Sequence, residues 1–479
     1  MKRRASLQGD ELPAVVTPPP GPKSRAAAKR LRRAEGAAIW GRDESPIVWS
    51  RARGAVVEDL DGNRYLDFTS GFGVASLGHA APEVKRAVSA QAGRLVQGLG
   101  DLMPHAAREK LVRRLSKLGG RLDRVLLAST GAEAVELALK TAAIATGRRR
   151  FVAFQGAYHG DSYGALEVTD HPKPPEPVRA QLQGRAIHVS FPYPYRSAPS
   201  ARRGDAGYEE SLLGEAFASI DDALRTADPP GALIVEPIQG RAGAIVPPAG
   251  FLPRLCRLAR ERRLLVIYDE ILTGAGRTGP FWAWERSGPD AEPDLLCAGK
   301  GLGGGVAIAA LLGKPATMEA WRRHVPPSGE APHASTFYAH PLACAGAIAA
   351  IERLTSPEVR EHADRMGAVL AEGLTKIAAQ HRAVGEARFA GLLGAIELVR
   401  DREGKEPAPD ILDGLVSRLL ARGILALPGG LHENVLMLLP PLTIHEAQLR
   451  HGLDAIEAAV AESGDGSART ERAAAGVKR

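Results

Sequence analysis

Short apolar runs alternate with helical periodicity over most of the chain. Residues 151–154, 232–235, 264–268 and 307–312 each read as a buried strand, too short for a helix and lacking the polar alternation of a half-solvated sheet. Helical patterns lie between them, one ending over 139–146 and another spanning 254–263. This alternation predicts an α/β unit over 86–345, a mostly parallel sheet with helices on both faces. Upstream, 56–68 has period two around the turn Asp61-Gly62-Asn63 and predicts a hairpin. Beyond 345 come a long helical pattern (357–379), a strand near 392–399 and an amphipathic helix (445–461), a smaller α+β unit. The expected organisation is a tail over 1–35, the first part of a small domain over 36–85, a large domain over 86–345, the rest of the small domain over 346–461, and a second tail over 462–479.

Composition adds little to this, except at the start. Of 479 residues, 44% are hydrophobic and 24% charged, ordinary for a globular protein that needs neither disulfide nor structural metal. The net charge of +7 is concentrated: residues 1–35 hold nine Lys/Arg against three Asp/Glu, a surplus of six. With Pro18-Pro19-Pro20-Gly21-Pro22 and Lys29-Arg30-Leu31-Arg32-Arg33, that segment predicts a disordered basic tail. The remaining body is nearly neutral and has no basic stripe, which argues against nucleic acid as a partner. Cys256, Cys297 and Cys344 are odd in number and far apart, suiting neither a disulfide framework nor zinc. No apolar run approaches the ~20 residues of a membrane span, and no signal peptide is visible. A cytoplasmic protein with no metal and no membrane partner is expected.

Four stretches carry candidate chemistry. The apolar run 264–268 ends in Asp269-Glu270, at the strand edge where parallel sheets bind ligands. A carboxylate there needs a cationic partner to stay charged, although taken alone it serves equally as a turn cap. Gly274-Ala275-Gly276-Arg277-Thr278-Gly279 matches G-x-G-x-x-G, but Pro280-Phe281-Trp282 follows where a dinucleotide fold starts a helix, so that reading is rejected. Lys300 lies in the glycine-rich turn 298–305; a buried lysine there suits Schiff-base chemistry, an exposed one is an ordinary loop residue. Thr130 and Glu133 have the spacing of a capping box, and the amides they frame suit phosphate or simply start a helix. Tyr158, in the turn 154–160, offers a flat face to a ring ligand.

Together these stretches resemble the class-III pyridoxal-phosphate-dependent aminotransferases, the ornithine and 4-aminobutyrate type. The similarity spans about 36–460. It includes Asp61-Gly62-Asn63-Arg64-Tyr65-Leu66-Asp67-Phe68, Gly78-His79, Glu236-Pro237-Ile238-Gln239-Gly240 and 269–279. Lys300-Gly301-Leu302-Gly303-Gly304-Gly305, Ser335-Thr336-Phe337, His340-Pro341-Leu342-Ala343-Cys344-Ala345 and Pro440-Pro441-Leu442 complete it. The resemblance implies an α/β fold of the type I pyridoxal-phosphate class, whose large domain binds the cofactor, and a homodimer with shared active sites. It implies transfer of an amino group to an oxo acid through a Lys300 internal aldimine. Asp269 would hold the pyridine nitrogen, Tyr158 and Ile271 would flank the ring, and Glu236 would orient the site. Gly131 and Ala132 amides would bind the phosphate with Thr336 from the other subunit; the part of His159 stays open. A racemase, aminomutase or phospho-lyase on the same scaffold is the alternative.

The departures bear on substrate. Many relatives place Glu after Gln-Gly, where this chain has Arg241, and Arg three residues before Pro-Pro-Leu, where it has Met437. Arg241 is therefore expected to read a carboxylate. Asp161 replaces an arginine of the 4-aminobutyrate enzymes and would repel an ω-carboxylate. The expected donors are ω-amines, diamines or (di)amino acids. Leu272 replaces a cofactor-facing Gln of some relatives.

Overall fold

The computed structural model describes residues 7–39, 46–197 and 204–476. It divides into two compact units, one formed by 82–361 and the other by 1–81 with 362–479. The boundaries thus fall at 81/82 and 361/362, against the expected 85/86 and 345/346.

The larger unit is built on a seven-stranded sheet. Its strands are β1 (Arg124–Ala128), β2 (Phe151–Phe154), β3 (Ala186–Val189), β4 (Ala232–Val235), β5 (Leu265–Glu270), β6 (Leu295–Ala298) and β7 (Ala309–Gly313), in the spatial order β1-β7-β6-β5-β4-β2-β3. Neighbouring pairs from β6 to β3 are parallel; β7 runs antiparallel to both β6 and β1. The sheet is mostly parallel, as expected, and the run at 307–312 supplies its one antiparallel strand. Its residues are as apolar as the others, so composition does not reveal its direction.

Strands β2, β4, β6 and β7 are buried along their length and β5 over all but its first residue, which is why their apolar stretches read as unbroken runs. The helix Gly131–Thr146 packs on this sheet through Val135, Leu137, Ala138 and Ala142 against Ile267, Leu295, Cys297 and Leu311. Each fully buried Leu, Ile or Val of this layer contributes about 1.5–3 kcal/mol. Thr130 starts the helix by accepting the Glu133 amide at 3.2 Å, and Gly147 ends it at φ +69°.

One consequence positions the site. The chain leaves β1 at Ser129, β2 at Gln155, β4 at Glu236, β5 at Ile271 and β6 at Gly299. These strands point the same way, so the candidate residues of all four stretches meet at one carboxyl edge.

The smaller unit contains two four-stranded sheets. One joins Trp49–Arg53, Val56–Asp59, Arg64–Asp67 and Ile424–Leu425; the other joins Val384–Ala390, Leu393–Leu398, Val435–Leu438 and Leu427–Gly429. The disordered tail expected over 1–35 is overturned for its described part. Residues 22–34 form the helix Pro22–Ala34, with Ser24, Ala27 and Ala28 buried. Asn63 Oδ1 accepts the amides of Val16 and Thr17, each at 2.8 Å, and the Asp61 carboxylate accepts those of Lys23 and Ser24, also at 2.8 Å. Gln448 Nε2 donates to the carbonyls of Gly9 (3.2 Å) and Glu11 (2.9 Å). The segment is held through its backbone by side chains distant in sequence, which its own composition does not record. At the other end the last helix spans Glu446–Gly476, continuing through most of the expected second tail; its propagation adds one hydrogen bond per residue. Residues 1–6 and 477–479 of the two tails lie outside the described residues.

Candidate active site

Asp269, the penultimate residue of β5, is buried. Its Oδ1 accepts the Ile271 amide at 3.0 Å, and its Oδ2 lies 2.7 Å from Nδ1 of the buried His159. The main chain at this residue is held in turn: the His159 amide donates to Thr169 Oγ1 at 3.0 Å. Its Nε2 is buried without a partner among the described residues. Sequence reading left His159 without a role, and only contact across 110 residues supplies one.

Glu236 leaves β4 beside this pair. Its carboxylate accepts the amides of Tyr158 (3.0 Å) and Gly240 (2.8 Å), so it shapes two of the turns at the edge. Burial lifts its carboxyl to about 7, with His159 opposing the rise and Asp269 adding to it. Glu270, next to Asp269, was assigned nothing. It accepts the amides of Ala283 (2.6 Å) and Trp284 (2.8 Å), and burial lifts it to about 8. Its signal was available: a second carboxylate ending a buried strand needs donors of its own.

Lys300 follows β6 after Gly299, in the left-handed region at φ +40°, where a non-glycine residue is strained by about 1–3 kcal/mol. Burial pushes its ammonium below the usual lysine range, against the pull of Asp269 and Glu236. The wall beside it is apolar. A side chain at Gly131 would meet Ile271 Cδ1 at 2.9 Å, and one at Gly299 would meet Ile271 Cγ2 at 3.3 Å. Leu272 packs against Gly240 so closely that a Cβ there would collide with its Cδ2. The run 274–279 forms turns after β5 rather than the start of a helix.

Tyr158 is half-buried at the mouth. Its hydroxyl donates to Oδ2 of the exposed Asp161 at 2.9 Å. Burial, then Asp161, pushes this phenol up to about 12. The exposed Arg241 sets its guanidinium carbon 4.8 Å from the Tyr158 ring centroid. Gly131 and Ala132 open the helix Gly131–Thr146, and the cap takes the third amide, that of Glu133. Thr336 is exposed on a separate stretch, where its carbonyl accepts Gln97 Nε2 at 2.7 Å. No hydrogen bond joins it to Gly131 or Ala132 among the described residues.

A nucleophilic nitrogen, a buried carboxylate–imidazole pair and a helix start therefore share one sheet edge. The sequence profile "Aminotransferase class-III" matches residues 39–460. The chain belongs to the class-III aminotransferases. It is 34% identical to the 4-aminobutyrate aminotransferase of Mycobacterium bovis, over 96% of this chain and all of that one. It is 33% identical to the 5-aminovalerate aminotransferase of Pseudomonas aeruginosa, over 85% of this chain and 92% of that one. An amine transaminase from an uncultivated Pseudomonas species, solved with pyridoxal phosphate as the internal aldimine, superposes with a TM-score of 0.81 at 31% identity, covering 90% of this chain and 98% of that one. This class-III aminotransferase accordingly has the type I α/β fold and depends on pyridoxal phosphate.

The residues of this chain fit that cofactor. The unpartnered His159 Nε2 marks a polar interior built around Asp269. Gly131 and Gly299 leave room against Ile271 that a side chain would fill. The first amides of a helix, with a positive dipole end, suit a phosphate.

Proposed function

We propose that Lys300 is the nucleophile and proton carrier of the transamination, with Asp269 as the charge that sets the cofactor's electronics. Pyridoxal phosphate, when bound, supplies an aldehyde and a ring that delocalises negative charge from the substrate Cα. Asp269 holds a proton on the ring nitrogen, and His159 fixes that carboxylate from its far oxygen. Gly131 and Ala132 amides hold the phosphate; Tyr158 and Ile271 confine the ring between them. Glu236 keeps the Tyr158 and Gly240 turns in place. Burial favours the neutral amine at Lys300 Nζ, the form that can accept a proton. The observation that carries the reading is the placing of Lys300 and the Asp269–His159 pair at the ends of neighbouring strands β6 and β5. Borohydride reduction of the holoenzyme followed by peptide mass mapping should find the cofactor on Lys300, and Lys300→Ala should lose both the label and turnover. A label on any other lysine overturns the assignment.

The donor we assign is an ω-amine, a diamine or a (di)amino acid, and the acceptor an oxo acid. Asp161 supports this, since its carboxylate stands on the Tyr158 hydroxyl where an ω-carboxylate would meet like charge. The working form we assign is a homodimer. Leu95, Val96, Leu99, Leu102, Met103 and Phe337 are 39–71% exposed, and the Gln97–Thr336 bond links their two stretches. A second copy covering that surface would place Thr336 at its neighbour's phosphate. Three free, buried cysteines support a reducing compartment, the cytoplasm; among the described residues no helix is long and apolar enough to cross a membrane.

A further inference from the structure

Two buried imidazole nitrogens of the larger unit have no partner among the described residues, Nε2 of His159 and Nε2 of His188. The first belongs to the inner pair of the site, with its Nδ1 2.7 Å from Asp269 Oδ2. The second belongs to β3, the edge strand of the sheet. The His188 residue is only half-buried although its Nε2 is enclosed, so the ring reaches from solvent into the interior. Strand pairing draws the two histidines together. His188 lies opposite Ala153 of β2, and the Gln155 amide donates to the Val189 carbonyl at 2.8 Å, so β3 runs beside the strand whose turn carries His159.

The stretch 168–170 packs against both. Thr169 Oγ1 accepts the His159 amide at 3.0 Å, the Asp170 amide donates to the Ala157 carbonyl at 2.9 Å, and Asp170 Oδ2 accepts the Gly156 amide at 2.8 Å. The same stretch meets the His188 ring through the Val168 main chain and the Asp170 charge. Burial pushes that imidazole below the usual histidine range, against Asp170 and Val168, and His159 and Lys173 add to the fall.

We propose that His188 is a positioning residue for the Asp269–His159 pair, and that its Nε2 shares one water with the Nε2 of His159, which fixes the proton of His159 on Nδ1. The inference rests on the reading above, in which Asp269 is the charge beneath the cofactor. A carboxylate only accepts, so His159 must present Nδ1–H to it, and its Nε2 is then an acceptor. With the Val168 carbonyl taking the Nδ1 proton of a neutral His188, the Nε2 of that ring is an acceptor too. A water has two protons to give, one for each, and buried polar groups left over by the protein are satisfied in this way. Without a donor at its far nitrogen, His159 can carry its proton on Nε2 and turn a lone pair toward Asp269. Which nitrogen holds the proton is set by the bond that the other one makes.

The test reads the proton itself, by side-chain nitrogen NMR on holoenzyme carrying isotopically labelled histidine. Wild-type His159 should be protonated on Nδ1 and bare on Nε2. His188→Leu should lower the Nδ1-protonated fraction and reduce kcat about tenfold with the KM for the amine unchanged. His188→Gln, which can still hold a water, should restore most of both. A high-resolution crystal structure of the wild type should place one water about 2.7–3.2 Å from both Nε2 atoms. A proton on Nε2 of wild-type His159, an unchanged proton position in His188→Leu, or Nε2 atoms that meet separate groups in the crystal overturns the proposal. If Asp269→Asn leaves turnover intact, it is the assigned role of Asp269 that falls, whatever the NMR shows, so the two failures are distinct.

Discussion

Tyr158 and His159 are adjacent in the chain and belong to two different parts of the site. His159 is buried, with its ring on Asp269 and its amide on Thr169. Tyr158 faces the mouth, with its hydroxyl on the exposed Asp161 and its ring beneath the exposed Arg241. The inner part is made of buried hydrogen bonds in which each partner is held by another, and leaving one unmade costs about 1–3 kcal/mol. The outer part is made of exposed polar and cation–aromatic contacts worth about 0.5–1 kcal/mol each. The first can hold an atom in place; the second can be exchanged. On the resemblance drawn from the sequence, Asp269 carries a family role in the inner part, and the departures, Asp161 and Arg241, lie in the outer. On the function proposed above, chemistry and recognition are separated by a single peptide bond.

The comparison can be broken most directly from the inside. Asp269→Asn should lower kcat by about 10²–10³-fold, measured in single-turnover absorbance with the amine donor. A loss no greater than that of Asp161→Asn would abolish the distinction. At the outer part the effect is smaller and selective. Asp161→Asn should raise kcat/KM for 4-aminobutyrate relative to 1,4-diaminobutane by about tenfold, because it removes a like charge from one and an attraction from the other. Equal gains for both substrates would show that Asp161 does not sort them by charge.

The smallest effect sharpens the contrast through stability. Glu236 and Glu270 have carboxyls lifted by burial to about 7 and about 8, so the folded state binds their protons more tightly than the unfolded chain does. Stability therefore falls as pH rises from the ordinary carboxyl range, and continues to fall until each group has ionised in the folded state. The melting temperature of the cofactor-free protein should decline between about pH 5 and about 8, and Glu270→Gln should flatten the upper part of that decline. A melting temperature that rises across this interval would contradict the assignment of these two groups as buried acids.

Much of this was legible in the sequence because buried parallel strands leave unbroken apolar runs, and the turns that follow them carry glycine, lysine and carboxylate in readable positions. Lys300, Asp269 and Tyr158 stand out as candidates in that way. The pairings between them were not. His159 meets Asp269 across 110 residues, and neither residue has a local pattern that names the other. The antiparallel direction of β7 and the backbone clamp of Glu270 depend equally on what the fold brings alongside. The N-terminal segment misled for the same reason in reverse. Its proline and arginine content describes a chain that cannot bury itself, while Asp61, Asn63 and Gln448 satisfy its backbone from outside.

The grip of Gln448 on Gly9 and Glu11 also imposes an order of events during synthesis. Residues 9–11 cannot close onto this side chain until position 448 has been synthesised. At about 5–20 residues per second, that interval is roughly 20–90 s. Throughout it the basic, proline-rich segment beside these residues lacks its final anchor, and its backbone must be satisfied by water until Gln448 seats.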